Sequence, residues 1–247
     1  MDISHHTVLV SGGASGIGSA LAARFHKAGN KVIICGRRAD MLRDMQSKHP
    51  GIDAYECDLS EPDTRVAFVD KIVREHPALD VLINNAGIQQ RIDLTNNPAW
   101  EVMHREMAIN LEAHIHMCTL LIPQLRKQEK PAILNVTSGL AFVPLAGVPV
   151  YCATKAAMHS FTQSLRHQLR ETPIHVVEVI PPAVDTDLGG SGLHTFGVPL
   201  DEFADAAFAA LRNEDHREVT YQFSSESSRA SREQLDAIFE RMNAPRR

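Results

Sequence analysis

The chain has 247 residues, of which 44% are hydrophobic and 22% charged, and it carries a formal net charge of −5 at pH 7. That length can bury one large core without dividing, and the mildly acidic balance excludes an electrostatic reader of nucleic acid or of an anionic membrane surface. Basic residues form nothing longer than pairs such as Arg37-Arg38 and Arg246-Arg247, and no stretch approaches the ~18 consecutive apolar residues of a membrane span. The first residues lack the charged-then-apolar pattern of a secretory leader. Cys35, Cys57, Cys118 and Cys152 are scattered with no C-x-x-C pair, a usage that predicts reduced thiols and a cytoplasmic protein rather than a disulfide framework or zinc site. The thirteen histidines are dispersed, and His114 and His116, two apart, would not share a helix face, so no metal site is predicted.

Short β-branched runs alternate with longer amphipathic segments along the whole chain. Strands are predicted over 7–11, 31–35, 52–57, 80–84, 132–137, 174–180 and 218–223. Helices are predicted up to about 28, up to about 48, over 61–75, 99–126, 151–171 and 201–212, and finally near 229–242. Strands this apolar, alternating with helices, define an α/β fold: a doubly wound, mostly parallel seven-stranded sheet of Rossmann type, covered on both faces, with an extra C-terminal helix. No repeat, low-complexity tract or linker interrupts it, so 1–247 reads as a single domain.

The first strand runs into SGGASGIG, residues 11–18. Gly12, Gly16 and Gly18, with Ser15 and Ile17 between them, suit a tight turn that brings main chain close to a pyrophosphate resting on the following helix N-terminus. Glycine clusters also occur in methyltransferases; at the first strand–helix junction of a doubly wound pattern a dinucleotide is the better expectation. The second strand ends in Cys35-Gly36-Arg37-Arg38, without the carboxylate that would hold a ribose 2′-hydroxyl. Paired guanidinium groups suit a 2′-phosphate, which makes NADP(H) the expected cofactor.

A second constellation lies between 138 and 155. Ser138 follows a strand, and Tyr151 and Lys155 are spaced i and i+4 at the start of a helix. Such a pair lies on one helix face, about 6 Å apart at the Cβ atoms. A phenol ordinarily titrates near ~10, and a neighbouring cation is expected to lower that value towards the range useful for acid/base work. A hydroxyl, a phenol and an ammonium so arranged suit proton exchange on an alcohol or carbonyl oxygen while a hydride moves elsewhere.

Taken together, SGGASGIG, CDL (57–59), NNAG (84–87), MAINL around Asn110, Ser138 and YCATK (151–155) resemble the short-chain dehydrogenase/reductase family, with the family's intervals between Asn110, Ser138, Tyr151 and Lys155. The resemblance runs to about residue 190. SGLAFVPLAGVPVYCATKAAMHSFTQSLRHQL and the CGRR turn are similar to the oxidoreductase subgroup represented in bacterial teichoic-acid D-alanylation operons. The family resemblance implies that Tyr151 is the general acid/base, that Lys155 lowers its pKa and binds the nicotinamide ribose, and that Ser138 polarises the carbonyl. Asn110 is implied to hold a water through its main-chain carbonyl. It further implies that Asp58 contacts the adenine with Leu59 in the same cofactor site, that Asn85, Ala86 and Gly87 line the adenosine ribose side, and that Pro181, Val184 and Thr186 border the nicotinamide. A homodimer through the helices at 99–126 and 151–171, or a tetramer, is implied in the same way.

Three departures stand out. Ser11 replaces the family's usual threonine, keeping a hydroxyl; the stretch Pro181-Pro182-Ala183-Val184-Asp185-Thr186 has proline where the family usually has glycine; and the C-terminal end reads as a capped amphipathic helix instead of a glycine-rich tail. Leu140, Ala141, Phe142, Val143 and Val148 are expected to wall a substrate pocket, and the glycine-rich stretch 187–199, with His194, to act as its lid. An NADPH-dependent reductase of a neutral, rather apolar ketone or aldehyde is the leading expectation. A non-redox epimerase or dehydratase, and an NADP(H)-binding sensor without turnover, are the alternatives.

Overall fold

The computed structural model describes residues 3–213 and 217–244; the Arg246-Arg247 pair lies outside the described residues. The chain alternates strand and helix: β1 (Thr7–Ser11), α1 (Gly16–Lys27), β2 (Lys31–Gly36), α2 (Ala39–Lys48), β3 (Asp53–Glu56), α3 (Pro62–Glu75) and β4 (Leu79–Asn84) form the first half. The second half holds α4 (Trp100–Met107), a π segment (Ala108–Glu112), α5 (Ala113–Leu125), β5 (Ala132–Val136), α6 (Pro149–Gln168), β6 (His175–Ile180), α7 (Leu200–Leu211), β7 (Glu218–Thr220), α8 (Phe223–Ser227) and α9 (Arg232–Asn243). The strands form one parallel seven-stranded sheet in the order β3-β2-β1-β4-β5-β6-β7, the expected doubly wound architecture. Sequence order reverses between β1 and β4, and a crevice opens there beyond the strands' C-terminal ends.

Alternation along each strand builds two cores. Val8, Val10, Val32, Ile34, Val81, Ile83 and Val179 face α1, α2 and α7, meeting Phe25, Leu42 and Phe203. Leu9, Ile33, Leu82, Ile133 and Val176 face α3, α5 and α6, meeting Ile72, Met117, Leu121 and Leu165. Each fully buried Leu, Ile or Phe contributes roughly 1.5–3 kcal/mol, so the two layers hold the sheet between them and leave its C-terminal edge for chemistry.

Four of the departures from the expected boundaries have a clear local reason. The helix expected over 99–126 is interrupted by the π segment, which aims the Asn110 amide at the main chain of Ile88. The helix expected over 151–171 spans Pro149–Gln168, because Pro149 supplies a preformed first helical φ. The strand expected over 218–223 stops at Thr220, where the Ser224 hydroxyl accepts from Tyr221 N and donates to Ile180 O, pulling the chain into α8. The last helix begins at Arg232 behind a capping box in which Ser231 and Gln234 exchange side-chain and main-chain bonds. Among the described residues no helix is long and apolar enough to cross a membrane.

Candidate active site

A cavity of about 1270 Å³ runs along the C-terminal edge of the sheet, from Arg37 and Arg38 at one end to Ser138, Tyr151 and Met242 at the other. Every cofactor residue predicted from the sequence except Gly18 lines it, as do Ser138, Leu140, Tyr151 and Lys155. Gly18 packs just beneath: a Cβ there would lie 2.4 Å from both Asn85 Nδ2 and Gly12 O. Gly12 has φ +65° and its absent Cβ would meet Ala86 Cα at 2.8 Å, so only glycine lets the turns after β1 and β4 touch.

The turns are tied together by Ser11. Its hydroxyl donates to Ile83 O and accepts from the amides of Asn85 (2.9 Å) and Ala86 (3.1 Å). His114 completes the support from below. It is fully buried, burial pushes its imidazole down to about 3, and the neutral ring donates from Nε2 to Ala86 O at 2.8 Å.

The cradle fits a dinucleotide. Ser15 at the start of α1 makes no side-chain capping bond, which leaves the helix amides facing the cavity. Arg38 donates to the Ser15 hydroxyl at 2.8 Å, and Arg37 lies beside Asp58 closely enough to affect its titration. Asp58 itself is held by the main-chain NH and hydroxyl of Ser60. Burial opposes its ionisation, yet those bonds and the charges of Arg37 and Arg105 keep its carboxyl below the ordinary carboxylate range. At the far end Pro181 O accepts from Gly139 N at 2.9 Å, and Thr186 lies against Gly16, so the loop after β6 closes over the glycine turn.

Tyr151 and Lys155 are both buried on one face of α6, with Lys155 Nζ 5.6 Å from the phenol ring centroid. The expected lowering of the phenol is not what the protein alone produces. Burial pushes Tyr151 well above its ordinary value; the hydrogen bond with Ser138 opposes that, and the charges of Cys152 and Glu106 add to it. The ammonium is instead aimed at Val136 O, 2.8 Å away, and its own pKa is pushed down to about 8 by burial, with Glu178 opposing. The Ser138 hydroxyl also accepts from Leu140 N at 3.1 Å, which fixes its direction at the strand end.

Asn110 commits its amide to Ile88, accepting from Ile88 N (2.9 Å) and donating to Ile88 O (2.8 Å). One turn earlier, buried Glu106 accepts from Gln90 N and its carboxyl is pushed up to about 7 by burial. These two side chains hold the loop after β4, whose Gln89 and Gln90 line the cavity. Of the expected substrate wall only Leu140 lines it. Phe142 turns away to pack on the His159 ring at 4.6 Å, and Val148 packs with Tyr151 and Cys152. Leu145, Leu188, His194, Phe223 and Met242 take their place. Residues 187–197 form a loop pinched at its base by the bridge between Val184 and Val198. Glu106, His114, Met242 and Phe223 escaped the sequence reading; only the i+4 spacing of Asn110 and His114 hinted at one of them.

A Rossmann-type sheet with a glycine cradle at its switch point, and a serine, tyrosine and lysine beside it, defines a class of oxidoreductase. The chain matches the short chain dehydrogenase family over residues 6–194, and it belongs to that family. It is 42% identical, over 98% of both chains, to the uncharacterized oxidoreductase DltE of Bacillus subtilis, which agrees with the subgroup resemblance. It is 32% identical to the 1-deoxy-11-beta-hydroxypentalenate dehydrogenase of Streptomyces avermitilis over 85% of this chain and 83% of the other. A short-chain dehydrogenase from Sphingobium yanoikuyae solved in complex with NADPH superposes with a TM-score of 0.79 at 26% identity, covering 94% of this chain and 92% of that one.

Proposed function

We propose that this protein is an NADP(H)-dependent oxidoreductase interconverting a ketone or aldehyde and the corresponding alcohol. The single observation that carries this reading is the convergence of Ser138, Tyr151 and Lys155 at one end of a cavity whose other end presents Arg37 and Arg38. The NADPH complex of the Sphingobium relative supports the cofactor assignment. Bound NADPH supplies the hydride delivered to the carbonyl carbon.

The chain's own residues bind, orient and move the proton. Arg37 and Arg38 hold the 2′-phosphate, the open amides of α1 face the pyrophosphate, and Asp58 and Leu59 face the adenine. Asn85, Ala86 and Gly87 line the adenosine ribose side, and Pro181, Val184 and Thr186 border the nicotinamide. Ser138 donates to the substrate oxygen. Tyr151 gives that oxygen its proton in reduction and accepts one in oxidation. A phenol raised by burial is a willing proton holder, and the nearby ammonium of Lys155 stabilises the phenolate left behind. The Asn110 side chain is committed to Ile88, so a water in the proton relay falls to its main-chain oxygen.

Leu140, Leu145, Leu188, Phe223 and Met242 make the substrate end apolar, which favours a neutral carbonyl compound. Trp100 and Val102 lie exposed on α4, which supports a homodimer through that helix and α6. Four buried, unpaired cysteines accord with a reducing, cytoplasmic setting. Following NADPH absorbance against a panel of ketones, aldehydes and quinones tests the reading. Consumption dependent on one carbonyl class is expected; tight NADPH binding with no consumption on any of them would replace it with a sensor.

A further inference from the structure

The face of the sheet under α5 and α6 carries a row of polar side chains at one register: Asn84 on β4, Asn135 on β5 and Glu178 on β6. The asparagines meet only neutral groups, Asn84 donating to Asn135 (2.9 Å) and Asn135 to the Thr162 hydroxyl (2.9 Å). Glu178 is different. Its side chain is fully buried, a costly place for a carboxylate unless it is paired and hydrogen-bonded. Thr137 donates to Oε1 at 2.7 Å, and His159 Nδ1 lies 3.0 and 2.9 Å from the two oxygens.

These partners are not neutral bystanders in sequence. Thr137 immediately precedes Ser138, and His159 lies one helical turn beyond Lys155 on α6. The His159 ring also packs edge-to-face against Phe142, just past the turn that carries Ser138. One carboxylate therefore touches both segments that deliver the site's side chains.

We propose that Glu178 is a positioning residue for the active site, a buried carboxylate paired to His159 that registers α6, the helix carrying Lys155, against the Ser138 turn. The inference rests on the role given to Lys155 under the proposed function. The charged groups bearing on His159 are Glu178, Glu218 on the neighbouring strand β7, and Arg166 on α6 itself, while Gln163 meets its Nε2 at 3.0 Å. For Lys155 the opposing charge is that of Glu178, while the other titratable groups bearing on it are buried His114 on α5, held neutral, and Tyr151 on α6. Pairing holds the His159 imidazole above its ordinary value, and the Glu178 charge keeps Lys155 an ammonium to higher pH than its burial would allow.

The test is the pH dependence of turnover in Glu178→Gln and His159→Gln. Removing the carboxylate charge lowers the Lys155 pKa, so the alkaline limb of kcat/KM in Glu178→Gln should move down by about one pH unit. Removing the imidazole leaves the carboxylate charge in place, so the limb in His159→Gln should stay or move up. A folded Glu178→Gln with an unmoved limb, or both variants moving down together as a general loosening would produce, overturns the proposal. Should Glu178→Gln fail to fold, the His159 imidazole titrated by NMR in the wild-type protein decides, its resonance assigned by its loss in His159→Gln. A pKa above the ordinary ~6.5 supports the pair; an ordinary or lower value sinks it. That titration needs no turnover, so its failure is separable from a wrong substrate class.

Discussion

Lys155 Nζ donates a 2.8 Å hydrogen bond to the main-chain oxygen of Val136, tying the middle of α6 to the end of the strand that leads to Ser138. The bond places an ammonium in a fully enclosed position, and burial is why its pKa falls to about 8. A lysine depressed in the folded protein is charged below that value and neutral above it. The kcat/KM for carbonyl reduction should therefore fall as pH rises through about 8, because the phenolate loses its stabilising cation. Lys155→Arg, which stays charged, should show no such fall, whatever its absolute rate. A wild-type profile flat from pH 7 to 9.5 would contradict this.

Tyr151→Phe removes the proton donor and leaves the ring's packing against Val148 and Cys152 intact. The expected loss of kcat is about 10²–10⁴-fold, with NADPH affinity, followed by quenching of protein fluorescence, nearly unchanged. Retention of the wild-type rate would remove Tyr151 from the chemistry.

Replacing both Arg37 and Arg38 with alanine deletes the guanidinium pair at the cavity's far end. Each charge-assisted bond to a phosphate contributes about 1.5–3 kcal/mol, so the dissociation constant for NADPH should rise at least about tenfold while that for NADH barely moves. An unchanged ratio of the two constants would show that the 2′-phosphate lies elsewhere.

Gly18→Ala tests the glycine cradle as packing. The added Cβ would lie 2.4 Å from Gly12 O, a main-chain atom that cannot step aside. Overpacking of this kind costs about 1–3 kcal/mol, visible as a lower thermal midpoint, and NADPH binding should weaken with it. Gly147→Ala, where nothing lies within 4 Å of the added carbon, is the matched control and should leave both unchanged.

His114→Leu keeps the volume but leaves Ala86 O without its donor. A buried carbonyl so orphaned costs about 1–3 kcal/mol. NADPH binding should weaken along with stability, since Ala86 belongs to the turn that meets Gly12. Circular dichroism melting and a binding titration read both; a variant as stable and as tight as wild type would show the bond to be idle.

Much of this was legible along the chain because it depends on neighbours in sequence. Alternating apolar strands and amphipathic helices specify a covered parallel sheet from local periodicity alone. Gly12, Gly16 and Gly18 announce a turn that only glycine tolerates, and the i, i+4 spacing of Tyr151 and Lys155 is a property of one helix. What the chain order could not report was burial and long-range pairing. Phe142 looked like a pocket wall until the turn rotated it onto His159, and Glu106 and Glu178 carry no signal until α4, α6 and β6 are packed against the rest of the chain.

Residue identity and spacing thus determined the sheet, the cradle and which side chains meet at the reacting end, since each follows from helix and strand geometry. The fold alone decided their electrical state. Whether a phenol or an ammonium keeps its proton depends on how much water is excluded around it and on which charges stand opposite, and here those are contributed by residues distant along the chain.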